Sequence, residues 1–224
     1  MYKLSGVTKD YRRGQSVVHA LRDLNLVIED GEWLAIRGPT GHGKTTLLQI
    51  LGGLDRPTSG TVEFNGQDLA RLREGGLTAV RARSFGFIFQ TFNLIPTLTA
   101  QENVETALVP LHVPSAGRRA RAAAALADVG LSDRASHLPG ELSGGQQQRV
   151  AIARALVKEP TVVLADEPSG NLDEDTRDDI IALLDGLWRK LGLTLVVVTH
   201  DRAVARHAQR QGVLRDGRLT VSRS

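Results

Sequence analysis

Residues 38–45 read Gly38-Pro39-Thr40-Gly41-His42-Gly43-Lys44-Thr45, a glycine-rich loop with the spacing G-x-x-x-x-G-K-T. An apolar run precedes the loop and a second one follows it, which predicts a strand before it and a helix after it. Glycines let backbone N–H groups turn toward phosphate oxygens, and the N-terminus of the following helix attracts anions. Lys44 adds a full positive charge, and the Thr45 hydroxyl is suited to Mg²⁺. The stretch therefore predicts a phosphate-binding loop.

The rest of the chain alternates strand and helix patterns. Strands are predicted at residues 24–28, 33–37, 85–90, 161–165 and 193–199. Helical patterns occupy residues 44–51, 99–158 and 175–190. A hairpin is predicted at residues 60–66, because Asn65-Gly66 is a strong turn signal.

Apolar strands that alternate with helices are typical of a parallel sheet covered on both faces. The pattern therefore predicts an α/β fold of the P-loop NTPase type with a mostly parallel core sheet. It also predicts an N-terminal antiparallel β subdomain and an inserted α-helical lobe. We expect one domain over residues 1–224, with the core and β subdomain at about 1–90 and 159–224 and the lobe at about 91–158.

Composition excludes several classes of protein. The 224 residues contain no cysteine, which excludes disulfide scaffolds, thiolate zinc sites and cysteine nucleophiles. No apolar run approaches the roughly 20 residues of a membrane span, and the first residues lack the apolar core of a secretory signal. The net charge of +3 is small, so no nucleic-acid partner is expected. These features predict a cytosolic protein unless a partner holds it at a membrane.

Two acids follow the apolar residues 162–165, at the end of a predicted buried strand. A phosphate loop needs a second carboxylate-bearing strand to hold the metal ion. Asp166 is the candidate for Mg²⁺, and Glu167 is the candidate general base that polarises the attacking water.

A second candidate anion site lies about a hundred residues after the first. Ser143 is a suitable N-cap, and Gly144-Gly145 would leave the amides of a helix N-terminus uncovered. Two such helix ends are redundant for one nucleotide within one chain. They are consistent with a nucleotide that contacts two copies of the chain.

These motifs, in this order, resemble the ATP-binding cassette family over essentially the whole sequence. Residues 38–45 resemble its Walker A loop, 142–146 its LSGGQ signature and 162–166 its Walker B strand. The resemblance implies catalytic roles for Glu167, His200 and Gln90, and a magnesium set of Thr45, Gln90 and Asp166. The implied nucleotide-binding residues are Tyr11, which would stack on adenine, Gly38, Pro39, Thr40, Gly41, His42, Gly43, Lys44, Thr45, Thr46, Ser143, Gly144, Gly145, Gln146 and the D-loop residue Asp173.

The resemblance also implies an activity. The chain would bind ATP and Mg²⁺, form an ATP-sandwich homodimer with a second copy of itself, hydrolyse ATP and drive a separate integral membrane permease. Residues 85–104, the run Gln146–Gln148 and residues 170–173 resemble the MacB/LolD-like branch, which serves macrolide export and lipoprotein release. That branch predicts an export or release system and a peripheral location on the cytoplasmic face of the inner membrane. The alternative is a non-transport cassette ATPase that acts on DNA or the ribosome.

Two features go beyond the shared motifs. His42 stands where the family most often has serine, and we expect its side chain to point away from the phosphate cradle. An imidazole there can make ATP affinity depend on pH. Phe92, Leu94, Ile95 and Leu98 are candidates for an apolar patch that receives a helix of the permease.

Overall fold

The computed structural model describes residues 1–14 and 16–223 of the chain. Backbone contacts divide it into two units, Met1–Ala79 with Thr194–Ser224, and Val80–Leu193. The strands and helices, in chain order, are β1 (Tyr2–Arg13), β2 (Ser16–Ile28), β3 (Trp33–Arg37), α1 (Lys44–Leu51), β4 (Ser59–Phe64), β5 (Gln67–Asp68), α2 (Glu74–Ser84), β6 (Phe85–Ile88), α3 (Ala100–Glu105), α4 (Ser115–Asp128), α5 (Gly144–Leu156), β7 (Val162–Asp166), α6 (Glu174–Leu191), β8 (Thr194–Thr199), α7 (Arg202–Ala205), β9 (Arg210–Arg215) and β10 (Arg218–Arg223). Short 3₁₀ helices cover Thr106–Leu111, Ser132–Arg134 and Pro139–Glu141.

The first unit contains an antiparallel sheet with the strand order β2-β1-β4-β5. Its apolar side chains alternate with exposed ones along β2, so one face packs against the core. Asn65 and Gly66 join β4 to β5 with φ angles of 47° and 78°, both in the left-handed region that a two-residue hairpin requires. The hairpin predicted at residues 60–66 is therefore present.

The same unit holds a second sheet in which β9, β3 and β8 are parallel neighbours and β10 pairs antiparallel with β9. All six residues of β8 are buried, as are four of the five in β3. Such uninterrupted burial is typical of strands covered on both faces. Helix α1 follows β3 after the glycine-rich loop, so the loop lies at the carboxyl end of a buried parallel strand, as in other open α/β sheets that bind ligands.

The second unit contains the parallel pair β6 and β7 and the helices α3 to α6. Helix α5 buries most of its residues and contacts α3, α4, α6 and β6. Helix α6 is amphipathic and buries Ile180, Ile181, Leu184 and Leu187 along one face. The α5 helix is therefore the central element of this unit, and it begins at the candidate signature.

The structure extends the sequence-based prediction at several points. Helix α2 and the hairpin of β9 and β10 were not predicted, and the helical pattern at residues 99–158 divides into α3, α4, α5 and three 3₁₀ helices. Strand β6 ends at Ile88, so Gln90 lies in the following turn instead of in the strand. Helix α5 begins at Gly144, directly after the predicted N-cap residue Ser143. None of the helices in the described residues is both long and apolar enough to cross a membrane.

Candidate functional site

The glycine-rich loop places a helix N-terminus where a phosphate chain can bind. Helix α1 begins at Lys44, and its N-cap residue, Gly43, has no side chain that could cap the helix. Gly41 and Gly43 have φ angles of 82° and 97°, which turn the loop backbone in a way that side-chain-bearing residues rarely adopt. Lys44 is buried and donates hydrogen bonds from Nζ to the carbonyls of Gly38 (2.8 Å) and Pro39 (3.3 Å). This geometry fits an anionic ligand with several oxygens.

Two of the loop glycines are required by close neighbours. A Cβ on Gly38 would lie 2.2 Å from the carbonyl oxygen of Leu214 on β9. A Cβ on Gly43 would lie 2.3 Å from the carbonyl oxygen of Ala20 on β2. The loop is thus held between two backbone segments of the first unit, which fixes its shape before any ligand binds.

His42 contacts the turn that joins β9 to β10. Its Nδ1 accepts a hydrogen bond from the backbone N–H of Asp216 (3.0 Å), and the Asp216 carboxylate lies 3.4 Å from the same nitrogen. The acceptor role requires a neutral Nδ1. Protonation would take this acceptor away from the Asp216 N–H and add a positive charge to the phosphate loop.

We expect His42→Ser to remove a pH dependence of ATP affinity. A protonated imidazole adds a positive charge to the phosphate loop, so the ATP affinity of the wild type should rise relative to that of the variant as the pH falls. Phosphate groups themselves take up a proton near about pH 6, so the quantity to measure is the ratio of wild-type to variant affinity at several pH values. A ratio that stays constant with pH would contradict the role of His42.

Tyr11 is held by Asp55, which follows α1, and by Lys9 on its own strand, β1. Its hydroxyl donates to Oδ2 of Asp55 (2.7 Å), and Nζ of Lys9 lies 4.8 Å from the ring centroid. Tyr11 as a residue is still 38% exposed. Val18 pairs directly with Tyr11 across the β1–β2 ribbon and is 51% exposed. Sequence reasoning missed both Asp55 and Val18, although an exposed valine opposite the aromatic residue could have indicated an apolar surface for a base.

His200 lies at the carboxyl end of β8 and is exposed. The next residue, Asp201, starts α7 by accepting a hydrogen bond from the N–H of Ala203 (2.6 Å), while its own N–H donates to the Thr199 hydroxyl (3.0 Å). These bonds fix the turn that carries His200. Thr45 is exposed on the first turn of α1, where its hydroxyl is accessible to a cation.

The signature forms the N-terminus of α5 in the second unit. The Ser143 hydroxyl accepts from the N–H of Gln146 (3.2 Å), and Oε1 of Gln146 accepts from the N–H of Ser143 (2.9 Å). This capping box confirms the predicted N-cap at Ser143. Its side chains satisfy only part of the backbone N–H groups at this helix end. A Cβ on Gly145 would lie 2.5 Å from Cγ2 of Thr176 on α6, so the signature and the start of α6 pack closely.

Strand β7 carries the two candidate acids. Its residues are buried up to Ala165, and Asp166 and Glu167 are half-buried where the strand ends. Glu167 has a φ of 46°, and its carbonyl accepts from the N–H of Gly170 (3.0 Å) in a tight turn. A left-handed glutamate is strained and is found mostly where surrounding structure imposes it, often at functional sites.

Gln148 connects the signature helix to that turn and was missed by the sequence reasoning. Its side chain is buried and donates from Nε2 to the carbonyl of Pro168 (2.5 Å), next to Glu167. Its Oε1 has no hydrogen-bond partner in the part of the chain that is described. A movement of α5 would therefore act on the backbone that holds Glu167. In the sequence, only the position of Gln148 in the run Gln146–Gln148 indicated this residue.

Gln90 is exposed and pairs with Asn171 of the D-loop, residues 169–173. Its Nε2 donates to Oδ1 of Asn171 (3.1 Å), and Nδ2 of Asn171 donates to the Gln90 carbonyl (3.0 Å). Gly170 lies against the same side chain, since its Cβ would be 3.1 Å from Nε2 of Gln90. The second unit thus brings Gln90 and the turn after Glu167 together.

Asp173 caps α6. It accepts hydrogen bonds from the N–H (2.9 Å) and the hydroxyl (2.8 Å) of Thr176, and these bonds lower the pKa of Asp173. Together with the contact between Thr176 and Gly145, the cap links the D-loop to the signature. No cluster of three or more His, Cys, Asp or Glu side chains that could hold a metal ion occurs among the residues described.

Comparisons with known proteins agree with these motifs. The sequence profile described as ABC transporter matches residues 21–170. An uncharacterized ABC transporter ATP-binding protein of Bacillus subtilis, YvrO, is 48% identical over 99% of this chain and 96% of its own length. The lipoprotein-releasing system ATP-binding protein LolD of Geobacter metallireducens is 47% identical, with 99% and 98% covered. The macrolide export ATP-binding/permease protein MacB 1/2 of Paracoccus denitrificans is 47% identical, but this chain spans only 33% of it.

Solved structures give the same fold. The ATP-binding cassette MJ0796, in a dimeric post-hydrolysis state bound to ADP and Pi, superposes with a TM-score of 0.92 and 45% identity over 100% of this chain and 98% of that one. The P-loop NTPase fold class, with its antiparallel β subdomain and helical insertion, is thereby confirmed. None of the relatives named here is described as acting on DNA or the ribosome. The chain belongs to the ABC transporter family, in which it is an ATPase subunit.

Proposed function

We propose that two copies of this chain bind two ATP molecules between them and hydrolyse them to drive a membrane permease. The observation that carries the proposal is the presence of two glycine-flanked helix N-termini, those of α1 and α5, in one chain. In the proposed dimer, each ATP contacts residues 38–45 of one copy and Ser143–Gln146 of the other. MJ0796, described as a dimeric cassette with ADP and Pi, supports this arrangement.

Each predicted site residue has a role in this proposal. Tyr11 stacks on adenine, and the loop amides with Lys44 and Thr46 bind the phosphates. Thr45, Asp166 and Gln90 would hold Mg²⁺, which when bound would neutralise negative charge on the phosphates. Glu167 accepts a proton from the attacking water, and His200 donates a hydrogen bond to the γ-phosphate as charge develops on it. Asp173 aligns the D-loop beside the nucleotide.

The permease contact is proposed at the segment after β6. Phe92, Leu94 and Leu98 are half-buried and Ile95 is 44% exposed, so an apolar partner has a surface to bind. Phe92 and its neighbour Asn93 have left-handed backbones, and their carbonyls accept hydrogen bonds from Arg154 on α5. A pull on this segment would thus act on the signature helix.

The MacB/LolD-like relatives support export or release as the direction of transport. Relatives described as lipoprotein-releasing and macrolide-export components match essentially the whole chain at 46–48% identity. We infer an export or release system, with the chain held peripherally at the cytoplasmic face of the inner membrane by its permease.

A mixing experiment tests the composite site. Lys44→Ala removes the lysine from the loop, and Ser143→Glu places a negative charge where the partner's γ-phosphate would bind. Glutamate is compatible with a helix N-terminus, so the fold should persist. Each variant alone should be inactive with MgATP. A mixture should recover activity, since each mixed dimer holds one intact site; random mixing gives about a quarter of the wild-type rate.

The outcome distinguishes the proposal from a site made within one chain. If each copy had a complete site of its own, the mixture would be as inactive as the two variants. Recovery must also depend on mixing, so each variant at twice the concentration is the control.

A further inference from the structure

The side chains around Tyr11 form a small cluster that neither the motifs nor the proposed roles account for. Lys9 donates from Nζ to Oδ1 of Asp55 (2.6 Å) and to the carbonyl of Arg56 (2.7 Å). The backbone N–H of Arg56 also donates to Oδ1 of Asp55 (2.7 Å). With the hydrogen bond from the Tyr11 hydroxyl to Oδ2, the Asp55 carboxylate accepts three hydrogen bonds. We call Lys9, Tyr11 and Asp55 the tyrosine clamp.

The clamp fixes the tyrosine ring from two directions. Asp55 holds the hydroxyl end, and the ammonium of Lys9, 4.8 Å from the centroid, covers one face of the ring. Lys9 has only three donors, and two are used by Asp55 and Arg56, which leaves the third near the ring. A planar ligand would therefore stack on the opposite face. The remaining exposure of Tyr11, 38%, is sufficient for that contact.

The clamp joins segments that are far apart in sequence. Lys9 and Tyr11 lie on β1, whereas Asp55 follows the end of α1, the helix that begins at the phosphate loop. The ring is thus fixed relative to the helix that would hold the phosphates.

The pKa shifts of Asp55 and Tyr11 favour the hydrogen bond between the two side chains. Burial acts to raise the pKa of Asp55, but hydrogen bonds from Lys9, Tyr11 and Arg56 outweigh it and leave that pKa below its ordinary value. Burial, together with the hydrogen bond to Asp55, raises the pKa of Tyr11. The acceptor is therefore ionised and the donor protonated at neutral pH.

We propose that Asp55, assisted by Lys9, is a positioning residue for nucleotide binding, which holds the Tyr11 ring at the place where the adenine base stacks. The inference rests on the proposed ATP binding. Without the clamp, an exposed tyrosine would be free to change rotamer, and ordering it would oppose binding of the base. The phosphate contacts of residues 38–45 do not depend on the ring.

Two ligands separate positioning from general damage. ATP has a base, whereas inorganic tripolyphosphate has only the phosphate chain. For Asp55→Ala and for Tyr11→Phe, we expect ATP affinity to fall about fivefold, the size of the cost of ordering one freed side chain on binding. Tripolyphosphate affinity, measured by competition with a fluorescent ATP analogue, should change by less than about twofold. In steady-state hydrolysis, KM for ATP should rise while kcat is unchanged.

The two variants should not be additive. Both remove the same hydrogen bond, so Tyr11→Phe/Asp55→Ala should bind ATP about as well as the weaker single variant. The matched control is Asp10→Ala. The Asp10 side chain is 28% exposed like that of Asp55, and it lies next to Tyr11 in sequence, but it pairs with His19. Its loss should leave the affinities for both ligands unchanged within about twofold.

Each result decides the question. Equal losses for ATP and tripolyphosphate would show a merely structural role for Asp55, and no loss for ATP would show that the ring needs no clamp; either overturns the inference. If Asp55→Ala does not fold, Tyr11→Phe, which keeps every carboxylate, carries the same test. A wild-type chain that fails to bind ATP would overturn the proposed function itself, and that result is recognisable before any variant is made.

Discussion

Glu167→Gln is expected to abolish ATP turnover while ATP still binds, and to accumulate a stable ATP-bound dimer. Glutamine has the same shape as glutamate but cannot accept the proton of the attacking water. General-base catalysis contributes about 10²–10⁴-fold to rate, so the rate constant should fall by that factor. Because the γ-phosphate is then kept, the contacts that close the proposed dimer persist.

The fold gives no reason for the variant to unfold. Glu167 has a left-handed backbone with φ of 46°, and glutamine tolerates that conformation about as well as glutamate. The change therefore removes a charge at the end of β7 without altering the turn closed by the Gly170 N–H.

Single-turnover hydrolysis and light scattering with MgATP are the measurements. The matched control is Glu159→Gln, which makes the same chemical change at another left-handed glutamate (φ of 55°) whose side chain is exposed and pairs with Arg121. It should keep turnover and should not accumulate the dimer. A Glu167→Gln chain that stays monomeric at saturating ATP would contradict the composite site.

The elements that sequence predicted are those with a local physical signal. Helix α1 spans the predicted residues 44–51, because the glycine-rich loop ends at Gly43 and apolar residues then recur at helical spacing. Strands β3, β7 and β8 are almost wholly apolar, and each lies within about one residue of its predicted range. Ser143 caps its helix as the pattern of serine and glutamine three residues apart predicts.

The elements that were missed lack such a signal. Helix α2 buries only Leu77 and begins with Glu74-Gly75-Gly76, so neither periodicity nor helix propensity indicated it. Strands β9 and β10 are rich in arginine, and four of the six residues of β9 are exposed or only half-buried, so neither strand shows a continuous apolar run. The turn between them, Asp216-Gly217, was a readable hairpin signal that the apolar pattern did not support.

The candidate site divides in the same way. Motifs identify its residues one by one, but the contacts that hold them depend on the folded chain. Asp55 meets Tyr11 across 44 positions, and His42 meets Asp216 across 174. A short-range sequence pattern does not predict such pairs of residues, because they are brought together only by tertiary packing.

Gly43→Ala is the second change with a large expected effect, a loss of ATP binding of about a hundredfold or more. Two costs combine at this position. Alanine at φ of 97° is strained by about 1–3 kcal/mol, and the new Cβ would lie 2.3 Å from the Ala20 carbonyl oxygen, which is backbone and cannot rotate away. Relief requires the loop to move, and a shift of the amides by even a fraction of an ångström separates them from the phosphates.

Two other glycines separate these costs. Gly66 has a φ of 78° with no atom within 4 Å of its Cβ position. Gly66→Ala therefore introduces backbone strain without a close contact, in a hairpin outside the site. It should lower the melting temperature slightly and leave ATP affinity unchanged. Gly38→Ala carries the close contact alone, since its Cβ would lie 2.2 Å from the Leu214 carbonyl oxygen and its φ is not in the left-handed range.

Calorimetric titration with ATP, together with thermal unfolding of each variant, gives the order of effects. If the loop shape between β2 and β9 governs phosphate binding, Gly38→Ala should lose affinity nearly as strongly as Gly43→Ala, because both displace the same backbone. If Gly43→Ala bound ATP as well as Gly66→Ala does, the bracing of the loop by Ala20 and Leu214 would have no part in binding. The contrast between Gly38 and Gly66 thus tests whether the close backbone contacts, rather than left-handed geometry alone, make this loop a phosphate site.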